Sequence, residues 1–124
     1  MSRRFAALGT ALILTLVAVL LMTLPGNSGI VLASSRALGG TELTDAIGHV
    51  ALFAVLTLVW YRAARTFVND RVALSVVVIG VVILGITTEL SQRLVPERGS
   101  NIVDLVANGL GVSVAWALLR FRRG

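Results

Sequence analysis

Apolar residues dominate four separate stretches of this 124-residue chain, and polar residues gather between them. The first stretch, Phe5 to Leu24, holds twenty residues without a charge and is closed by Pro25 and Gly26. At a rise of about 1.5 Å per residue such a run spans about 30 Å, the thickness of a bilayer's hydrocarbon core. Pro25 to Leu43 is rich in Gly and Ser and predicts a loop. The second stretch, from about Thr44 to Tyr61, carries Asp45 and His49 in its first two turns. A short basic loop with Arg62, Arg65, Asp70 and Arg71 follows. The third stretch, Val72 to Leu90, is uncharged until Glu89. Pro96 and Gly99 break the next connection, and Ile102 to Leu119 form the fourth stretch before Arg120, Arg122 and Arg123. The pattern predicts an all-α fold, a four-helix transmembrane bundle in one domain over 1–124. Its helices are expected at about 5–24, 44–62, 72–91 and 102–119.

Composition strengthens that reading. Fifty-six per cent of the residues are apolar and the mean hydropathy is +0.92. A soluble domain of this length cannot hide so much apolar surface. A cleaved leader is the rival reading of the first stretch, since Arg3 and Arg4 precede it and Val31-Leu32-Ala33 offers a small-residue cleavage pattern. That pattern lies well beyond the apolar run, which itself exceeds a usual leader core, so a retained membrane helix is expected. The chain has no cysteine, which excludes disulfides, thiolate nucleophiles and cysteine metal sites.

The net charge of +5 comes from eleven arginines and no lysine. They flank the apolar runs and are too dispersed for nucleic-acid recognition, so topology accounts for them. With the N-terminus inside, eight of the eleven fall on inner segments, and only Arg36, Arg93 and Arg98 on outer ones. The excess of arginine inside predicts a multi-pass cell-membrane protein with both termini cytoplasmic.

This topology places three pairs of polar residues at one membrane level. Asp45 and His49 begin the second helix, Glu89 and Gln92 end the third, and Asp104 and Asn108 begin the fourth. Ionisable groups at the edge of hydrocarbon are costly and demand a partner or a purpose. Gly85, Thr88, Glu89 and Gln92 share one helical face, as a buried polar seam would. Asp45 and His49 also share a face, which suits a base with its orienter or a metal ligand with its support. Each has a structural alternative. Asp45 and Asp104 complement helix dipoles, and Asn101 with Asp104 has the spacing of a cap. Glu89 has Arg93 at i+4, and Asn108 suits a helix–helix hydrogen bond. Gly109, Gly111 and Ser113 permit close backbone approach, while Trp60, Tyr61 and Trp116 suit an aromatic belt.

Two segments resemble a known family. TDAIGHVALFAVL (Thr44 to Leu56) is similar to the D-K-x-x-H-x-x-x-F segment of VanZ-like proteins. TELSQRLVPERGSNIVDLVANGLG (Thr88 to Gly111) resembles that family's E-x-x-Q, the arginine of the following loop, and D-x-x-x-N-x-x-G. The matching positions are Asp45, His49, Phe53, Glu89, Gln92, Arg98, Asp104, Asn108 and Gly111. Ala46 stands where the family usually has lysine, so any anionic group would fall to Arg98 or Arg93. The resemblance implies a small multi-pass bacterial membrane protein of the cell envelope. The family's name comes from an accessory factor in glycopeptide resistance, although no glycopeptide-binding feature is visible in this chain.

Together these readings give an outward-facing polar site that binds or modifies a lipid-linked or cell-envelope substrate. Glu89, His49 and Asp45 are the candidate catalytic residues. Gln92, Arg98, Asp104 and Asn108 are the candidate substrate-binding residues. With one histidine in the chain no metal site is assigned, and no cofactor is identified. The expected partners are the lipid bilayer and that substrate, with a homo-oligomer as a further option and no nucleic acid. The alternative is a non-catalytic scaffold or partner-docking module whose polar cluster is structural glue. A transporter is disfavoured because the ionisable groups lie at one end.

Overall fold

The computed structural model of the chain describes residues 2–25, 28–37, 39–95 and 101–122. Its described residues form five α-helices: α1 (Arg3–Thr23), α2 (Gly29–Ala37), α3 (Glu42–Ala64), α4 (Asp70–Gln92) and α5 (Ile102–Phe121). Four of them, α1, α3, α4 and α5, are long and apolar enough to cross a membrane. They correspond to the four apolar stretches.

Caps extend two of these helices beyond the apolar runs. Thr41 and Thr44 form a reciprocal capping pair, so α3 starts at Glu42, ahead of the apolar run. Asn69 accepts the Val72 N–H and lets α4 begin at Asp70. The short helix α2 corrects the expectation of a loop through Pro25 to Leu43. Ile30 and Leu32 are helix-compatible residues between the breaks at Pro25 and Gly39, and Gly39 and Gly40 take positive φ to end the segment.

The helices pack as a diamond. Helices α3 and α4 are the central pair; α1 lies against both on one side and α5 against both on the other. The most extensive of these interfaces is between α3 and α5. Phe53 of α3 is fully buried at the centre, with Leu56, Tyr61, Ala73, Val77, Val81 and Val112 in the same cluster. Tyr61 therefore belongs to the core, not to an exposed aromatic belt. Trp60 donates its indole N–H to Thr15 Oγ1 at 2.8 Å and ties α3 to α1. Trp116 is exposed, as a belt residue would be, with the Arg120 guanidinium 5.3 Å from its ring centroid. Large apolar side chains such as Ile13, Leu16, Val76, Ile79, Ile83 and Leu110 point outward, as lipid-facing residues do.

Two glycines set the distances between helices. A Cβ on Gly111 would lie 2.4 Å from the Val50 carbonyl oxygen and 3.0 Å from the Ala54 nitrogen, both backbone atoms of α3. A Cβ on Gly85 of α4 would lie 3.0 Å from the Phe53 ring and 3.4 Å from Asn108 Cβ. Gly109, by contrast, has nothing within 4 Å of such a position, so only Gly111 serves the close approach expected of this pair.

Gln92, at the end of α4, is buried and donates its amide to the Met22 carbonyl of α1 at 2.9 Å. The last carbonyls of a helix lack intrahelical partners, so this bond fastens the end of α1 to the end of α4. Replacing Gln92 with Leu is expected to lower stability by roughly 1 kcal/mol, the usual size of an interhelical hydrogen bond in a membrane. Thermal unfolding in detergent should show a midpoint a few degrees lower, and an unchanged midpoint would remove this bond from the list of fastenings.

Candidate functional site

The ends of α1 and α4 and the starts of α3 and α5 meet at one end of the bundle, and the polar residues meet with them. Asp104 and Asn108 lie four apart on α5 and share a face. His49 of α3 stands opposite both. Its Nδ1 lies 2.7 Å from Asn108 Oδ1, and its Nε2 lies 3.9 Å from Asp104 Oδ2. The Gly111 contact lies one turn deeper on α5, and it brings α3 and α5 close enough for this pairing.

With the Asn108 amide oxygen turned toward it, the ring has one compatible neutral tautomer. An amide oxygen can only accept, so Nδ1 must carry the proton and donate it to Asn108. The lone pair of a neutral His49 then sits on Nε2, facing Asp104. A gap of 3.9 Å is too long for a direct hydrogen bond, and a neutral Nε2 and a carboxylate are both acceptors. A donor with two hydrogens, such as a water, would satisfy both acceptors. Protonation of the ring would instead give an ion pair with Asp104. The side chains of His49 and Asp104 are partly exposed, 16% and 20%, whereas Asn108 is buried. The ring is thus anchored on its inner side and reachable on the other.

Glu89 is buried at the end of α4. Its Oε1 accepts the backbone N–H of Asn101, the residue that caps α5. Asn101 also accepts from Val103 N–H at 2.9 Å and donates its amide to Glu42 of α3 at 3.1 Å. Three helix ends are therefore joined through Asn101. Sequence reasoning gave Asn101 only its cap and gave Glu42 no role, because neither residue lies within an apolar run. The cap is real, but Asp104 turns toward His49 rather than back to Asn101. Asn108 Nδ2 and Glu89 Oε2 are both buried without a partner among the described residues. An unpartnered buried polar group costs roughly 1–3 kcal/mol, so two in one place need a reason.

The other expected residues fall as follows. Asp45 is exposed, one turn before His49, whose ring is instead held across the helix interface by Asn108. Gln92 forms the bond to Met22 described above. Arg98 lies outside the described residues. Among the described residues no three His, Asp or Glu side chains converge as a metal-ligand group.

Four membrane-length helices with a polar constellation buried at one end define a small multi-pass membrane protein. The sequence model of the family described as VanZ/LLP1 matches residues 10–123, and the chain belongs to that family. No curated protein and no solved structure matches the chain.

Proposed function

We propose that the end of the bundle holding His49 faces outward and binds, and modifies, a lipid-linked or cell-envelope substrate. The arginine distribution supports this orientation, since it leaves the other end with most of the positive charge. The observation that carries the reading is the His49 geometry: a ring fixed by Asn108, with Nε2 left open opposite Asp104. In this reading Nε2 is the general base, Asp104 positions the donor that bridges to it and stabilises the protonated ring, and Asn108 holds the tautomer. The free oxygen of Glu89 and the free amide of Asn108 are hydrogen-bonding positions for the substrate. Asp45, exposed one turn before His49, and Arg98, between α4 and α5 in the sequence, are assigned to substrate approach.

A structural role has its own support. The Glu89 bond to Asn101 and the Gln92 bond to Met22 are what a scaffold would need to hold its helix ends. The two readings separate in a deletion strain whose lipids and cell-wall precursors are profiled. We expect an amphipathic species to accumulate, wild-type protein to clear it, and Asp104→Asn at normal membrane abundance to leave it uncleared. A link to glycopeptide resistance would show in the same strain as a changed susceptibility. An unaltered profile, or full clearance by Asp104→Asn, would leave the scaffold reading standing.

A further inference from the structure

The arginine-rich end of the bundle, remote from His49, carries a groove of its own. It measures about 780 Å³ and runs between the start of α4 and the end of α5. Arg71, Ser75, Val78 and Ile79 line one wall, and Trp116 and Arg120 the other. Positions 71, 75 and 79 are four apart on α4, and 116 and 120 are four apart on α5, so each wall is one helix face. The groove is graded along the bundle axis. Its two guanidiniums lie in the terminal turns, and the Ser75 hydroxyl and Trp116 indole N–H lie one turn deeper. Ile79 is two turns, about 12 Å, below Arg71. Arg71, Ser75, Ile79, Trp116 and Arg120 are all exposed, so a ligand can reach them.

Topology accounts for arginines at this end. It does not account for two of them on facing walls of one groove whose lining holds no carboxylate. Asp70 is the carboxylate of this end among the described residues. It pairs with Arg65 at 3.8 Å and lines a different groove, with Arg62 and Arg122. The undescribed side chains that adjoin this end in the sequence are Met1 and Arg123, and neither is acidic. Arg71 forms no ion pair among the described residues, and it sits in the first turn of α4, where the helix dipole disfavours a cation. Arg120 lies over Trp116, its guanidinium 5.3 Å from the ring centroid, a contact that uses its charge but none of its five N–H donors. Two such cations call for an oxyanion. The aliphatic wall below them calls for a hydrocarbon chain attached to it.

We infer that this groove binds one anionic glycerophospholipid of the surrounding leaflet. Arg71 and Arg120 hold its phosphate, Ser75 and Trp116 donate to the ester level, and one acyl chain lies along Val78 and Ile79. The occupant is a lipid and not a free phosphate, because the walls below the arginines are apolar and belong to membrane-length helices. A zwitterionic head is disfavoured, since its ammonium group would meet two arginines. The inference stands whether His49, at the other end, is a base or a helix fastening.

The test is native mass spectrometry of the full chain in detergent, titrated with phosphatidylglycerol or with phosphatidylethanolamine of the same acyl chains. Phosphatidylglycerol is expected to bind several-fold tighter. Arg71→Gln and Arg120→Gln should each weaken it about fivefold, the weight of one basic residue beside an anionic lipid. Arg4→Gln removes the same charge from α1 at the same end and should leave binding unchanged. Ser75→Trp and Ile79→Trp fill the groove from exposed positions without altering charge, and both should weaken binding several-fold. Using two such variants, each with its thermal midpoint measured, guards against a folding defect in one. Glycerol phosphate, the head without its chains, should not displace the lipid at equal concentration. Equal binding of the two lipids, or an equal loss in Arg4→Gln, would overturn the anion site. Displacement by glycerol phosphate, or unchanged binding in both tryptophan variants, would overturn the lipid as its occupant.

Discussion

Gly111→Leu is expected to prevent assembly of the bundle. The first side-chain atom alone would sit 2.4 Å from the Val50 carbonyl oxygen, well inside contact distance. The obstructing atoms belong to the α3 backbone, which has no rotamer with which to yield. The helices must separate, and with them the largest interface of the bundle. Even Gly111→Ala should cost about 1–3 kcal/mol, the usual range for overpacking a tight core. Gly109→Ala is the matched control: it is two residues away on the same helix, and its Cβ position is open. Thermal unfolding of the three variants in detergent should give a clear midpoint decrease for Gly111→Ala, no folded species for Gly111→Leu, and no decrease for Gly109→Ala. A Gly111→Ala midpoint equal to wild type would mean that α3 and α5 do not approach as closely as described.

His49→Ala should leave the fold intact and remove the chemistry. The ring is only partly buried and its one short bond is to Asn108, so the loss in stability is expected to be modest, roughly 1 kcal/mol. As a general base the imidazole should be worth about 10²–10⁴ in rate. The measurement is clearance of the species that accumulates in the deletion strain, normalised to protein in the membrane. Asn108→Leu should produce a smaller defect of the same kind, because the base remains but its tautomer is no longer held. If the loss tracks abundance in both variants, His49 is a helix fastening and not a base.

Much of this molecule is legible in the sequence. Four apolar runs of about 18–20 residues must become helices in hydrocarbon, because no other unpaired segment can satisfy its backbone there. The same physics marks Glu89, Asp104 and Asn108, since polar groups that survive at the ends of such runs stand out against their surroundings. Helix α2 escaped notice because it is only nine residues long and lies in a Gly- and Ser-rich stretch after Pro25. The bonds of Asn101 to Glu89 and Glu42 escaped because hydrogen bonds between chain-distant helix ends leave no periodic trace.

The sequence by itself determined the spans, the level at which the polar residues gather, and the family. Hydrophobic free energy is a property of each segment and can be summed along the chain. Tertiary structure alone decided who partners whom. Asp45 is the sequence neighbour of His49 on its helical face, yet Asn108, 59 residues away, holds the ring. That choice depends on the crossing of α3 and α5, which Gly111 permits at a separation no other residue would allow. Directional bonds of 2.7 Å are set by such distances between helices, and no pattern along one helix encodes them.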